Sequence, residues 1–188
     1  MSSAPLPSSP PSSVTASGVR RLSTADAAAL RAARIEALTE APYAFASTLE
    51  RELRHTEQTW RDRLANERSV YFGVFGGDRL AGMVAGLAPG FFADPDPAVP
   101  VAAGAWHLVS MWVSPELRGQ GLADALVAAV CAAARARGGT AMELWVTGVN
   151  HRAEAFYRRA GFAPTGDRQL VFPDDPHNWE LMMARPLG

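Results

Sequence analysis

The stretch Arg118-Gly119-Gln120-Gly121-Leu122-Ala123 places two glycines and an arginine between an apolar strand pattern, Ala105 to Val113, and an apolar helical one. The first N–H groups of a helix lack intrahelical partners and carry partial positive charge, so they receive anions. Glycine lets that backbone approach closely, and the Arg118 guanidinium adds a charged fork, so the turn suits a phosphate. A plain chain reversal has the same outline. No Gly-Lys-Ser/Thr follows and the glycine spacing is not that of a dinucleotide fold, so neither a P-loop nor a nicotinamide site is read here. Up the strand lies His107, whose imidazole, with an ordinary pKa of about 6.5, is suited to accept a proton near neutrality. Strand alternation puts His107, Val109, Met111 and Val113 on one face. A histidine satisfied within the sheet is the other reading of that residue.

These residues need a scaffold. Val19 to Leu22 reads as a first strand, and Ser23 or Thr24 caps a helix carrying Ala27, Leu30, Ala33, Arg34 and Leu38. Pro42 ends it, Tyr43-Ala44-Phe45 is an aromatic connection, and a second helix runs from Leu49 to Ala65. Val70 to Phe75 and Leu80 to Ala85 form a hairpin around Gly76-Gly77-Asp78. Pro89 to Pro100 is a loop. Gly121 to Arg137 is an amphipathic helix, Met142 to Val146 a strand, Asn150 to Ala160 a helix, and Trp179 to Ala184 a last strand. Interleaved strands and helices make the class mixed α and β. Residues 1–18, rich in Ser, Pro and Ala, read as a disordered tail, and residues 19–188 as a single domain.

Composition narrows the partners. The 188 residues are 48% hydrophobic with a formal net charge of -1, which favours neither nucleic acid nor an anionic membrane. All 18 basic residues are arginine, which with the many alanines fits the codon usage of a GC-rich bacterial genome. The single cysteine, Cys131, allows no internal disulfide or Cys-based zinc site and reads as a buried thiol; no metal is expected. No apolar run is long enough to span a bilayer, and the N-terminus lacks the features of a signal peptide, so a cytoplasmic location is expected.

Val113-Ser114-Pro115-Glu116-Leu117-Arg118-Gly119-Gln120-Gly121-Leu122-Ala123 resembles the Gln/Arg-x-x-Gly-x-Gly/Ala signature of the GCN5-related N-acetyltransferase (GNAT) superfamily. Asn150-His151-Arg152-Ala153-Glu154-Ala155-Phe156-Tyr157-Arg158-Arg159-Ala160-Gly161-Phe162 is similar to its second motif, Asn-x-x-Ala-x-x-Phe-Tyr-x-x-x-Gly-Phe. Ala37-Leu38, Pro42 to Phe45 and Trp60 resemble the helix pair upstream in many bacterial members. The resemblance implies a mostly antiparallel mixed sheet, splayed between its fourth and fifth strands and flanked by about four helices. Acetyl-CoA would lie in that gap as co-substrate. Main-chain contacts would come from Met111, Trp112 and Val113, pyrophosphate contacts from the amides of Arg118, Gly119, Gln120, Gly121, Leu122 and Ala123, and a further contact from Asn150. Tyr157 falls at the family's general-acid position beside the coenzyme. His107 falls where the histone-acetylating branch has a glutamate base, although water chains serve in many members.

The implied reaction is direct acetyl transfer to a primary amine. Tyr43, Phe45, Phe91 and Trp179 are candidate acceptor walls, with Phe92 and the rest of the loop from Phe172; Glu36, Glu40 and Glu50 either attract a cationic amine or face solvent. Aromatics in loops favour a small or medium-sized acceptor. An acyl-CoA-binding module without turnover and transfer to a peptide or protein N-terminus are the other readings, and pairing as a homodimer is left open.

Overall fold

Strands that are apolar on both faces belong in the middle of a sheet with helices on either side. The computed structural model describes residues 18–91, 104–172, 174–175 and 177–188. Its strands are β1 (Arg20–Arg21), β2 (Ser69–Gly76), β3 (Arg79–Leu87), β4 (Ala105–Val113), β5 (Ala141–Thr147), β6 (Ala163–Leu170) and β7 (Trp179–Pro186). Its helices are α1 (Ala27–Glu40), α2 (Leu49–Leu53), α3 (Glu57–Ala65), α4 (Leu122–Ala136) and α5 (His151–Arg159). The strands form one sheet in the order β1-β2-β3-β4-β5-β7-β6, antiparallel except between β4 and β5. This is the mixed α and β class read from the sequence. The tail over residues 1–17 and the loop segment 92–103, with Phe92, lie outside the described residues.

On one face α4 packs against β2, β3, β4 and β5. Its buried side, Leu122, Leu126, Val127, Val130, Cys131 and Ala134, follows the helical period. Gly86 of β3 lets this helix come close, because a Cβ there would sit 2.7 Å from Val130 Cγ2. The helix ends in a Schellman turn: Gly138 has φ +79°, and Gly139 N–H donates to the Ala134 carbonyl at 2.9 Å. Burial pushes the Cys131 thiol up, so it stays protonated and inert.

On the other face α1 and α3 bury Leu30, Ala33, Ala37 and Trp60 against Leu80, Met83 and Trp112. The single helix read over Leu49 to Ala65 is in fact two. Thr56 starts the second, its hydroxyl accepting from Thr59 N–H at 3.3 Å, with no proline or glycine marking the break. Glu52 stitches the joint. It accepts from Arg34 Nε at 3.3 Å, Ser47 Oγ at 3.0 Å and Arg63 Nη1 at 3.0 Å. Burial alone would raise this carboxyl, but the two guanidinium groups and their hydrogen bonds more than offset it and hold it below its usual value. Arg34 in turn lies over the Phe45 ring, 4.6 Å from its centroid, and so steadies the segment after α1.

β4 carries the main departure from simple alternation. Its pairing with β3 runs Gly86↔Leu108, Ala85↔Val109, then Met83↔Trp112, so β4 has one extra residue opposite β3. Ser110 absorbs it with φ +57°, a left-handed conformation that a non-glycine residue seldom takes. The bulge exchanges the faces. Trp106 and Leu108 lie in the core under α4, and so do Val113 and the partly buried Met111, whereas Trp112 lies under α1. His107 and Val109 therefore share a face with each other but not with Met111 and Val113, which corrects the alternation read from sequence. The parallel pairing of β4 with β5 covers only Ala105↔Ala141, Trp106↔Met142 and His107↔Glu143. Beyond it the two strands part.

Replacing Glu52 with Gln leaves Arg34 buried beside a weaker partner, and should cost about 3 kcal/mol, or roughly 6 to 10 °C in Tm. Because the folded-state carboxyl titrates below its unfolded value, this stabilisation is present above the unfolded pKa and is lost as pH falls through the folded one. The gap between wild type and E52Q in thermal melts should therefore close on acidification below the usual carboxylate range.

Candidate active site

The turn after β4 is built by local constraints. Ser114 N–H donates to the Ala81 carbonyl at 2.9 Å, Pro115–Leu117 makes one 3-10 turn, and Gly119 and Gly121 take φ +79° and +76°. A Cβ at either glycine would meet nothing within 4 Å, so backbone conformation and not space demands glycine here. Gly121 is the N-cap of α4, which aims the first amides of that helix at whatever occupies the turn.

Arg118 is tied down rather than free. Its Nε donates to the Val113 carbonyl at 2.9 Å, and Nη2 and Nη1 donate to Glu40 at 2.6 and 3.2 Å. Trp112 Nε1 donates to the same carboxylate at 3.3 Å. The Arg118 hydrogen bond is the main reason Glu40 titrates below its ordinary value. Glu36 likewise pairs with Arg79, and Glu50 with Arg54. The three carboxylates considered as attractors of an amine are thus engaged in ion pairs.

A cleft of about 380 Å³ opens beside the end of β4, in the stretch where that strand no longer pairs with β5. β4 contributes Met111, Trp112 and Val113; the turn and the start of α4 contribute Arg118, Gly119, Gly121, Leu122 and Ala123. Asn150, Arg152, Phe156 and Arg159 come from the α5 side, and Tyr43 and Phe45 from the segment after α1. Asn150 caps α5, its side-chain oxygen accepting from Ala153 N–H at 3.1 Å, which leaves its NH2 group as a donor. Arg152, Phe156 and Arg159 were missed in the sequence, although their i, i+4, i+7 spacing places them on one helix face. Gln120 is exposed, bonded to the Glu116 carbonyl at 3.3 Å, and does not line the cleft.

Other expected site residues also lie off its walls. Tyr157 is buried against Phe156 and Phe162, with ring centroids 5.2 and 5.6 Å apart, and burial pushes its phenol well up. His107 is buried on the α1 face, where burial pushes the imidazole down to about 4. Its Nδ1 has no hydrogen-bond partner among the described residues. Phe91 lies under the Arg68 guanidinium, 5.6 Å from ring centroid to Cζ. Trp179 packs on Gly148 beneath Arg168. Of the four aromatic acceptor candidates, Tyr43 and Phe45 are brought to the cleft, while Phe91 and Trp179 are not.

Comparison with known proteins matches residues 32–162 to the acetyltransferase (GNAT) family. Among solved structures, a nourseothricin acetyltransferase is 28% identical, covering 65% of this chain and 67% of its own at a TM-score of 0.54. The ribosomal-protein-S18-alanine N-acetyltransferase of Escherichia coli is 20% identical over 90% of this chain and 93% of its own, at 0.62. The PaiA N-acetyltransferase of Thermoplasma acidophilum, solved with coenzyme A, is 17% identical over 93% and 99%, also at 0.62. The last two show the shared fold. No curated protein matches the sequence. The match takes in the glycine turn, the parted strands and the Asn150 to Phe162 helix, and the chain belongs to the GNAT acetyltransferase family of acyl-CoA-dependent N-acyltransferases.

Proposed function

We propose that the protein binds acetyl-CoA in the cleft between β4 and β5 and transfers the acetyl group to a primary amine on a small or medium-sized molecule. The observation that carries this reading is that the unpaired end of β4, the glycine turn and the start of α5 line one cleft. Past His107 the inner edge of β4 has no strand to pair with, so the main chain of Met111 to Val113 is available to an extended pantetheine arm. The amides from Arg118 to Ala123 receive the pyrophosphate, Arg152 and Arg159 add positive charge, and the Asn150 NH2 donates to the arm. Arg118 acts by holding the turn to Glu40 and Val113.

In the transfer, the lone pair of a neutral amine attacks the thioester carbonyl carbon. The C–N bond forms, the C–S bond breaks, and its electron pair leaves on sulfur. The amine gives up one proton and the thiolate takes one, so none is gained or lost overall. A main-chain N–H of the bulged strand is suited to stabilise the carbonyl oxygen as charge builds on it. Tyr157, kept protonated by burial directly behind the Phe156 wall of the cleft, is the residue we assign as proton donor to the leaving sulfur. His107 stays neutral and serves best as a hydrogen-bond acceptor for the amine or a water, since an imidazole near 4 draws little proton from an ammonium. Tyr43 and Phe45 at the cleft support an acceptor with apolar parts.

Ala at Gly121 must adopt the left-handed conformation at a cost of about 1 to 2 kcal/mol, so G121A should weaken coenzyme A binding roughly tenfold by calorimetry. Tyr157→Phe should lower kcat on the order of a hundredfold with coenzyme affinity unchanged; undiminished turnover would show that the thiolate leaves unaided. The kcat/KM profile between pH 5 and 8 should rise only with deprotonation of the acceptor. A step near 6.5 that disappears in His107→Gln would mean that the histidine titrates as the base.

A further inference from the structure

Residues 41–47 leave the end of α1 and carry Tyr43 and Phe45. Glu40, the last residue of α1, fixes one end of this segment. Its two carboxylate oxygens accept from the Arg118 guanidinium, Nη2 at 2.6 Å and Nη1 at 3.2 Å, and one also accepts from Trp112 Nε1 at 3.3 Å. Arg152, from the α5 side of the cleft, adds a weaker electrostatic pull. Glu52 fixes the other end. Ser47 Oγ donates to it at 3.0 Å, and Arg34, its ion-pair partner, lies over the Phe45 ring. Between the two anchors the 3-10 turn Pro42–Ala44 reaches β5. The segment therefore crosses from the β4 side of the sheet to the β5 side, and Ala41, Tyr43, Ala44 and Phe45 line the same cleft as the glycine turn.

Glu40 stands where a carboxylate does not favour its own helix. Negative charge in the last turn opposes the helix dipole, and α1 has no basic residue in that turn to offset it. Nor is the pair buried. The Arg118 and Glu40 side chains are 28% and 31% exposed, so the ion pair by itself stabilises little. Such a tie is only as firm as its two ends. One end is a turn in which a Cβ at Gly119 or Gly121 would meet nothing within 4 Å, so packing does little to hold that backbone. An anion bound to the amides of the turn fixes the backbone that bears Arg118, and the guanidinium then has less freedom to lose in holding Glu40.

We propose that Glu40 is a positioning residue that ties the segment 41–47 to the coenzyme turn through Arg118, so that filling the turn orders the wall formed by Tyr43 and Phe45. This rests on the acetyl-CoA reading above. Coenzyme binding and the shape of the opposite wall are then one coupled equilibrium. The coupling is reciprocal: an amine that packs on the ordered wall holds the coenzyme more tightly in return. Glu52 anchors the far end of the segment whether or not the cleft is filled, because its partners Arg34 and Arg63 lie on α1 and α3 and not on the turn.

Hydrogen exchange of the full-length protein is followed by mass spectrometry with and without saturating coenzyme A. Two sets of amides are read: those of the glycine turn, and those of the segment, where the Ala41 and Ala44 N–H groups donate to the Ala37 and Ala41 carbonyls. In the wild type coenzyme A should slow exchange in both, in the segment by at least about fivefold. Glu40→Ala should keep the slowing at the turn and remove it from the segment. A merely structural Glu40 predicts instead that the segment of E40A exchanges faster by the same factor with and without coenzyme A, which overturns the proposal. Slowing that persists in the segment of E40A overturns it too, because the coenzyme then covers the segment directly. In an Arg118→Gln background the Glu40→Ala change should have no further effect, and an undiminished effect there overturns the route through Arg118. In each of these cases slowed exchange at the turn leaves coenzyme binding standing. Exchange unchanged at both places removes the acetyl-CoA reading, and the coupling with it.

Discussion

The molecule is organised around a sheet that stops being paired halfway along its centre. Backbone N–H and C=O groups demand partners, and β4 and β5 meet that demand toward each other for only three residue pairs. Past His107 each strand keeps its outer neighbour and presents its inner edge to a gap. An edge of that kind is a template for an extended ligand, and the glycine turn stands where such a ligand would end in phosphate. The cleft is therefore a defect in the sheet that the rest of the fold keeps open.

Charge ties together the elements on the β4 side of it. Arg118 joins the end of β4 to the last residue of α1, and Glu52 joins α1, α2 and α3 beneath Phe45. Both arrangements use the planar guanidinium fork, which reaches several acceptors at once in a way an ammonium does not. A composition without lysine looks like genomic bias in the sequence. In the folded protein it provides brackets between α1, α2, α3 and the end of β4.

Much of this was legible in the residues alone. α4 and its turn show in the period of Leu122, Leu126 and Val130 together with Gly119 and Gly121, and α5 shows in Asn150 and the Phe156-Tyr157 pair. The bulge was not legible. Ser110 is no glycine, and a single inserted residue leaves composition and period intact; only its pairing with β3 reveals the exchange of faces that separates His107 from Met111. The break at Thr56 escaped for a similar reason, since no proline or glycine announces it. Glu40 was visible as a charge and hidden as a partner, because Arg118 lies far from it along the chain and the pairing exists only after folding.

One helix joins what the gap divides. α4 packs on β2, β3 and β4 to one side and on β5 to the other, and its first turn also lines the cleft. A coenzyme bound as proposed would therefore load the cross-piece that holds the two half-sheets together. Occupancy of the cleft and cohesion of the domain become linked quantities, because a ligand bound only by the folded form stabilises it by RT ln(1 + [L]/Kd). The amount of acyl donor in the surroundings would then set how firmly the two halves are held, and the protein's lifetime would follow the supply of the molecule it consumes.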